Sequence, residues 1–359
     1  MGLLRVFLAL CVVQYHAGLS ILFLGHEALS GRVAVQLFFV ISGFYMALIL
    51  NEKYPAKTDN ALFYSNRYLR LWPAYGISLL LVGILAAWTG KISTFEQTLQ
   101  INEFWTNLLS TPLEWQVFFI FSNLTMIGMD FQWFLAPSDS GILFTPYEGG
   151  TNHPGGAYGL NIPIFTVAIE LSFYLIAPFI LRSLFKTVLF LIGALIYHLI
   201  LAYFAETSFF WTYHFFPSAY LYFAAGAIVY QVYRHQKQNY RAAIDLIFIT
   251  ISLALLTIGL QYELSDIGQG YVFGLALALA IPALFNVSKT NRVDRWLGEL
   301  SYPIYVLHYP IFQYIGPLFE RPWSGSMVMA LSVVAAVIVK IIIEDPIDSW
   351  RQKRITSHR

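Results

Sequence analysis

Arg5 and His16 stand at the two ends of RVFLALCVVQYH, a stretch that is otherwise almost wholly apolar. Eleven residues apart, they fall within about 20° of one helical face and about 16 Å apart along the axis. An imidazole so placed can take a proton from a hydroxyl, and a guanidinium can hold a phosphate or carboxylate. Cys11 lies well off the His16 face, so the spacing builds no Cys–His nucleophile pair. It is also the only cysteine, which leaves no disulfide framework and no cysteine metal site. No metal is expected. Glu170 is the one acid in FTVAIELSFYLIAP. Arg67 and Arg70, three apart, share a face that suits bidentate contact with phosphates, although anchoring at a membrane surface explains the same spacing. Ser42 and Gly43 serve either close helix packing or a small polar opening onto a cavity. Tyr302 and His308 allow a ligand contact or a structural hydrogen bond to a neighbour.

The elements that must carry these residues follow from composition. Of 359 residues, 58% are hydrophobic and 11% charged, and the mean hydropathy is +0.62. Soluble domains carry roughly a quarter charged residues, so a bilayer is needed to absorb the apolar surface. A formal net charge of +1 gives no reason to expect nucleic acid. Runs long enough to cross a bilayer lie near residues 3–24, 33–50, 71–89, 162–182, 187–204, 215–232, 244–262, 270–287, 301–318 and 326–343. The first run exceeds a signal-peptide core, and no small-residue cleavage site follows it, so a cleaved leader is not expected. Residues 113–129 are interrupted by Glu114, Gln116 and Asn123 and read as an interfacial or re-entrant segment.

Charge tests this count. With the N-terminus inside, the cytoplasmic loops and tail hold Lys53, Lys57, Arg67 and Arg70; Arg182 and Lys186; Arg234, Lys237 and Arg241; Lys289, Arg292 and Arg295; and Arg351, Lys353, Arg354 and Arg359. The outer loops hold Arg32, Lys91 and Arg321 beside Glu27, Glu206, Glu263 and Asp266. A separate span at 113–129 would invert every later loop and destroy this positive-inside bias. The expectation is an all-α polytopic membrane helix bundle of about ten transmembrane helices with both termini cytoplasmic, a single domain over 1–359. The long outer stretch, about 90–161, is aromatic and becomes rich in glycine and proline. It serves equally as a lid on the bundle or as an acceptor-binding loop.

Ionisable groups inside spans are costly and mark functional sites. In this topology Arg5 sits at the cytoplasmic mouth. His16 and Glu170 each lie about eight residues, or roughly 12 Å, below the outer surface. At matching depth they can form a base and its orienting carboxylate, or a structural hydrogen bond between two helices.

Taken together, these residues resemble the acyltransferase-3 family of membrane O-acyltransferases, which includes bacterial surface-glycan acetylases. Arg5 and His16 form the R-x10-H arrangement, and AVQLFFVISGFYM is similar to an FFxxSGF run containing Ser42. SNRYLRLWPAY resembles the basic R-x-x-R-x-x-P entry, and FTVAIELSFYLIAP the E-x-x-F-Y-L-x-x-P block. WLGELSYPIYVLHYPIF is similar to L-G-x-x-S-Y-x-x-Y-L-x-H-x-P, and IIIEDP to the closing motif. The order matches along essentially the whole chain. Departures are Gly2 where an acid is common, Gln36 where Asp is frequent, and Phe165 and Ala168 in place of Trp and Ser. Ten spans leave no residues for the extracytoplasmic hydrolase-like domain fused to some members.

The resemblance implies transfer of an acyl group, most often acetyl, from cytoplasmic acyl-CoA to a hydroxyl of an extracytoplasmic glycan or lipid-linked oligosaccharide. Acetyl-CoA enters as donor substrate, with no permanently bound cofactor, and the implied location is a bacterial inner membrane. Arg67 and Arg70, with Arg5, would hold the CoA phosphates, while Ser42, Tyr302 and His308 would line the substrate path. His16 would act as base with Glu170 orienting it, or would carry the acyl group itself. The rival from another class is a transporter or flippase of a lipid-linked sugar, since paired ionisable residues at mid-depth also mark transport pathways.

Overall fold

A computed structural model describes residues 1–18, 29–94, 98–138, 141–145, 158–205, 208–236, 242–262, 264–320 and 323–358. The described chain is dominated by helices. They are α1 (Gly2–Ala17), α2 (Gly31–Glu52), α3 (Asn60–Thr89), α4 (Ile101–Leu109), α5 (Leu113–Thr125), α6 (Phe165–Ile180), α7 (Leu184–Tyr203), α8 (Phe216–Gln236), α9 (Ala242–Gln261), α10 (Asp266–Ser288), α11 (Arg292–Pro310), α12 (Trp323–Val339) and α13 (Asp345–His358). Each of the ten apolar runs contains one helix of the bundle. Among the described residues, six helical stretches are long and apolar enough to cross a membrane: Gly31–Glu52, Lys57–Thr89, Ile162–Ile180, Leu184–Tyr203, Asp266–Ser288 and Trp323–Ser357. The described parts of α1 and α9 are shorter. Tyrosines and Gln231 make α8 less apolar, and Arg292, Asp294, Arg295 and Glu299 do the same for α11. The first run, expected to extend to residue 24, is helical to Ala17 and turns at Gly18 (φ 64°); residues 19–28 lie outside the described part.

Outward-facing side chains are apolar. Phe185 is 71% exposed and Val287 82%, values that suit lipid rather than water. The interior is closed by backbone approach. A Cβ at Gly43 would lie 2.0 Å from the Phe223 carbonyl oxygen, and one at Gly226 would lie 1.9 Å from that of Val40. The α2–α8 pair therefore uses two small residues reciprocally, as membrane helices do. Gly43→Ala is expected to force the pair apart and cost about 1–3 kcal/mol, as overpacking does. Gly193→Ala on α7 meets nothing within 4 Å and should leave stability unchanged. Thermal melts in detergent that coincide for the two variants would contradict this packing.

The N-terminus of α1 docks against α11. Its free donors are taken up by one carboxylate: Asp294 accepts from the Met1 ammonium and the Gly2 amide, each at 2.7 Å, and from the Leu3 amide at 2.9 Å. This is N-terminal capping performed across the bundle. Partial burial pushes the Asp294 carboxyl up, but these three donors outweigh it and hold it below the usual carboxylate range. The depressed value means the contribution is present at neutral pH and is lost as pH falls through the folded-state value, below about 3.9. Asp294→Ala is expected to cost about 1 kcal/mol at pH 7, read as a lower melting temperature that converges with wild type in acid. A gap that persists in acid would assign the effect to packing instead.

The outer stretch holds more structure than a loop. β1 (Lys91–Ser93) pairs antiparallel with β2 (Thr98–Gln100), and β3 (Leu135–Ser138) with β4 (Gly141–Phe144), so the chain is not wholly helical. Between the hairpins, α5 is only 13 residues long and ends in left-handed Met126 (φ 66°). Its last carbonyls are satisfied by α3: Trp72 donates to the Leu124 oxygen at 3.0 Å and the Tyr75 hydroxyl to that of Asn123. Trp72 is 17 residues, about 26 Å of helix, from the C-terminal end of α3. The helix thus descends beside α3 and turns back, as a re-entrant segment does, with its end groups satisfied inside the protein. Trp115, Phe104 and Phe119 pack this segment against Val82, Leu85 and Ala86 of α3. The glycine-rich part with Tyr147, Gly149, Gly150, His153, Gly155 and Gly156 lies outside the described residues.

Candidate active site

α1, α2, α3, α6 and α11 surround a cavity of about 250 Å³. Six of the eight residues expected at the site line it: Arg5, Ser42, Arg67, Arg70, Glu170 and Tyr302. Each stands where its helix turns a polar face inward. Tyr45, Thr166, Tyr174, Ser301 and Tyr305 complete the polar lining; Tyr174, Ser301 and Tyr305 fall within the motifs, but no role was assigned to them from the sequence. Tyr174 stands one turn after Glu170, and Tyr305 one turn before His308 in the chain; that spacing was the available signal.

Glu170 is held by two hydroxyls. It accepts from Ser42 of α2 and from Tyr174 at 2.6 Å. The expected pairing of Glu170 with His16 is not formed. The two residues match in depth, but α1 packs on α2, α11 and α12, whereas α6 packs on α2, α3 and α8. Ser42 on the intervening helix takes up the carboxylate.

The arginines divide into two kinds. Arg70 pairs with the buried Glu344 at 3.1 Å, which anchors the bundle's last turn to α3. The expected Arg67–Arg70 phosphate fork is therefore partly spent on the protein itself. Among the described residues, Arg5 and Arg67 make no ion pair, and the Arg67 Nε is buried without a hydrogen-bond partner. Two guanidiniums lining one cavity, with no carboxylate bound to either among the described residues, can hold an anion. The Tyr302 hydroxyl donates to the Leu71 carbonyl at 2.8 Å, so it fixes α11 to α3 beside these arginines.

At the far end of the cavity the Thr166 and Tyr305 hydroxyls lie 2.6 Å apart, and Tyr305 also donates to the Pro163 carbonyl at 2.9 Å. Beyond Tyr305 stand the two expected residues that do not line the cavity, His16 and His308. Their ring centroids are 5.3 Å apart, with Tyr15, Tyr309 and Phe312 around His16. The π-helical turn Ile311–Ile315 begins directly after α11, a local widening of the helix that often accompanies functional sites. The site therefore has two compartments: an arginine-lined cavity, and a histidine pair about one helical turn past Tyr305.

Residues 1–345 match the profile of the acyltransferase domain family. Nodulation protein 10 of Rhizobium leguminosarum bv. viciae is 26% identical over 188 residues, which cover 50% of this chain and 43% of that protein. The similarity thus spans less than half the length of that relative. No solved structure matches the chain.

Proposed function

Because the chain belongs to the acyltransferase-3 family and is an acyltransferase, we propose that it moves an acetyl group from cytoplasmic acetyl-CoA to a hydroxyl of a surface glycan outside a bacterial inner membrane. The observation that carries this reading is the cavity lined by Arg5 and Arg67, two cations with no ion partner among the described residues. A volume of about 250 Å³ is below the roughly 300–1,000 Å³ of sites that engulf a whole ligand. It suits the acyl-thioester end of the donor, with the nucleotide left at the mouth. Arg5 and Arg67 hold donor phosphate or polarise the thioester, and Glu170, fixed by Ser42 and Tyr174, balances their charge.

In this reading the chain crosses the bilayer ten times with both termini in the cytoplasm, and α5 does not cross. The donor enters from the inner side, where Arg67 and Arg70 open α3. The acceptor approaches from the outer side, where His16 ends α1. His16 takes the hydroxyl proton as the acceptor oxygen bonds to the carbonyl carbon. The carbon–sulfur bond then breaks, and the proton passes to the leaving thiolate to give the free CoA thiol. Tyr305 and Thr166, between the two compartments, line the point where carbonyl and hydroxyl meet.

The test is ester formation. Membranes holding the protein, given acetyl-CoA labelled in the acetyl group, should place alkali-releasable label in polysaccharide, and membranes lacking the protein should not. Label that stays in CoA or acetate with every envelope glycan supplied would sink the acetyl-to-glycan reading.

A further inference from the structure

Among the described residues, one buried atom of the histidine pair has no partner. His308 is 0% exposed, and its Nδ1 lies 2.6 Å from the Tyr305 carbonyl oxygen. A carbonyl oxygen can only accept, so Nδ1 carries the hydrogen and Nε2 of the neutral ring keeps its lone pair. That Nε2 is buried and, among the described residues, without a hydrogen-bond partner. Three rings with polar atoms stand near it. The Tyr305 hydroxyl is engaged at Pro163 and Thr166. Tyr309, next along the same helix, leaves the axis about 100° away. The third is His16, on the facing helix with its centroid at 5.3 Å and its plane tilted by 38°.

We infer that His308 is the positioning residue for His16: its Nε2 accepts the hydrogen bond of one His16 N–H and so leaves the other His16 nitrogen unprotonated toward the acceptor hydroxyl. This rests on the reading of His16 as the base. No His16–His308 hydrogen bond is formed in the structure, but His16 stands in the last turn of α1, two residues before Gly18. Turning its ring about the side-chain bonds brings a nitrogen onto Nε2. The Tyr305 carbonyl fixes the tautomer of His308, and His308 in turn fixes that of His16. Base–orienter pairs ordinarily use a carboxylate in the second place. A neutral imidazole does the same work without a further charge inside the bilayer, where an unpaired carboxylate is costly. The role that depth alone assigned to Glu170 thereby falls to His308. When His16 takes the proton, its new charge is stabilised by the Nε2 lone pair, and the proton then leaves with the CoA thiol.

The test compares His308→Phe and His308→Gln, each alone and combined with His16→Ala, in membranes at matched protein level. Labelled acetyl-CoA is the donor, and the strain's own envelope polysaccharide is the acceptor. His308→Phe keeps ring volume and loses the lone pair. Its kcat should fall about 10²–10³-fold while KM for acetyl-CoA stays within about twofold, because the residue lies outside the donor cavity. His308→Gln can place an amide oxygen near Nε2 and should recover about tenfold over Phe. Either change added to His16→Ala should lower the residual rate no further, since residues acting as one unit are not additive. An inactive His16→Ala beside a fully active His308→Phe would overturn this inference and leave the base intact. A double variant much slower than His16→Ala would overturn it as well, by giving His308 an independent role. A fully active His16→Ala would remove the base itself. If His308→Phe does not accumulate, the glutamine variant and its combination with His16→Ala carry the same comparison.

Discussion

Replacing His16 with alanine is expected to lower acetyl transfer about 10²–10⁴-fold, the range over which a positioned general base acts. The loss should appear in kcat. His16 does not line the cavity that receives the donor, so KM for acetyl-CoA should be unchanged. Nor should the protein be lost: alanine is the strongest helix former, and among the described residues His16 makes ring contacts but no hydrogen bond. Level-matched membranes with labelled donor give the measurement. A base leaves no label on the denatured protein when acetyl-CoA is supplied without acceptor, whereas an acyl-histidine would. Transfer at the wild-type rate in His16→Ala would end the assignment.

The second large effect is expected at Arg67. Arg67→Ala should raise KM for acetyl-CoA roughly 10–100-fold with kcat far less affected. That corresponds to the ~1.5–3 kcal/mol of a hydrogen bond to a charged group lost equally from ground and transition states. Arg67 is the clean position for this test because no carboxylate among the described residues holds it. Arg70 is not: removing it would strand the buried Glu344, and an unpaired buried charge costs about 3–5 kcal/mol. Arg70→Ala should therefore be depleted from membranes, and Arg67→Ala should accumulate normally. Steady-state kinetics over a range of acetyl-CoA concentrations separate the two effects. A fall in kcat at unchanged KM would move Arg67 from donor binding to the chemical step.

Much of this was legible in the sequence, for definite reasons. Apolar length gave the helices of the bundle, because that signal is local. The interruption of residues 113–129 by Glu114, Gln116 and Asn123 marked α5 as something other than a span, and its short helix tied to Trp72 and Tyr75 agrees. Motif order picked out eight residues, and six of them line one cavity. What could not be read was azimuth. Glu170 and His16 match in depth, which helix rise supplies, but which neighbour each helix faces depends on contacts such as Gly43 on Phe223 and Gly2 on Gly298. Those contacts put α8 beside α2 and α11 beside α1. The engagement of Arg70 by Glu344 escaped for the same reason, since 274 residues separate the partners. The two hairpins of the outer stretch are three or four residues per strand, too short to show a period of two.

The central claim is that the acyl group passes from an inner donor cavity to an acceptor on the outer face, and sealed oriented vesicles test it most directly. Acetyl-CoA does not cross a bilayer unaided, so the side of addition is the side of use. Inside-out vesicles given labelled acetyl-CoA in the medium should incorporate label into glycan sealed in the lumen, and right-side-out vesicles given the same donor should incorporate none. Equal labelling from outside right-side-out vesicles would place donor and acceptor on one face and contradict the account.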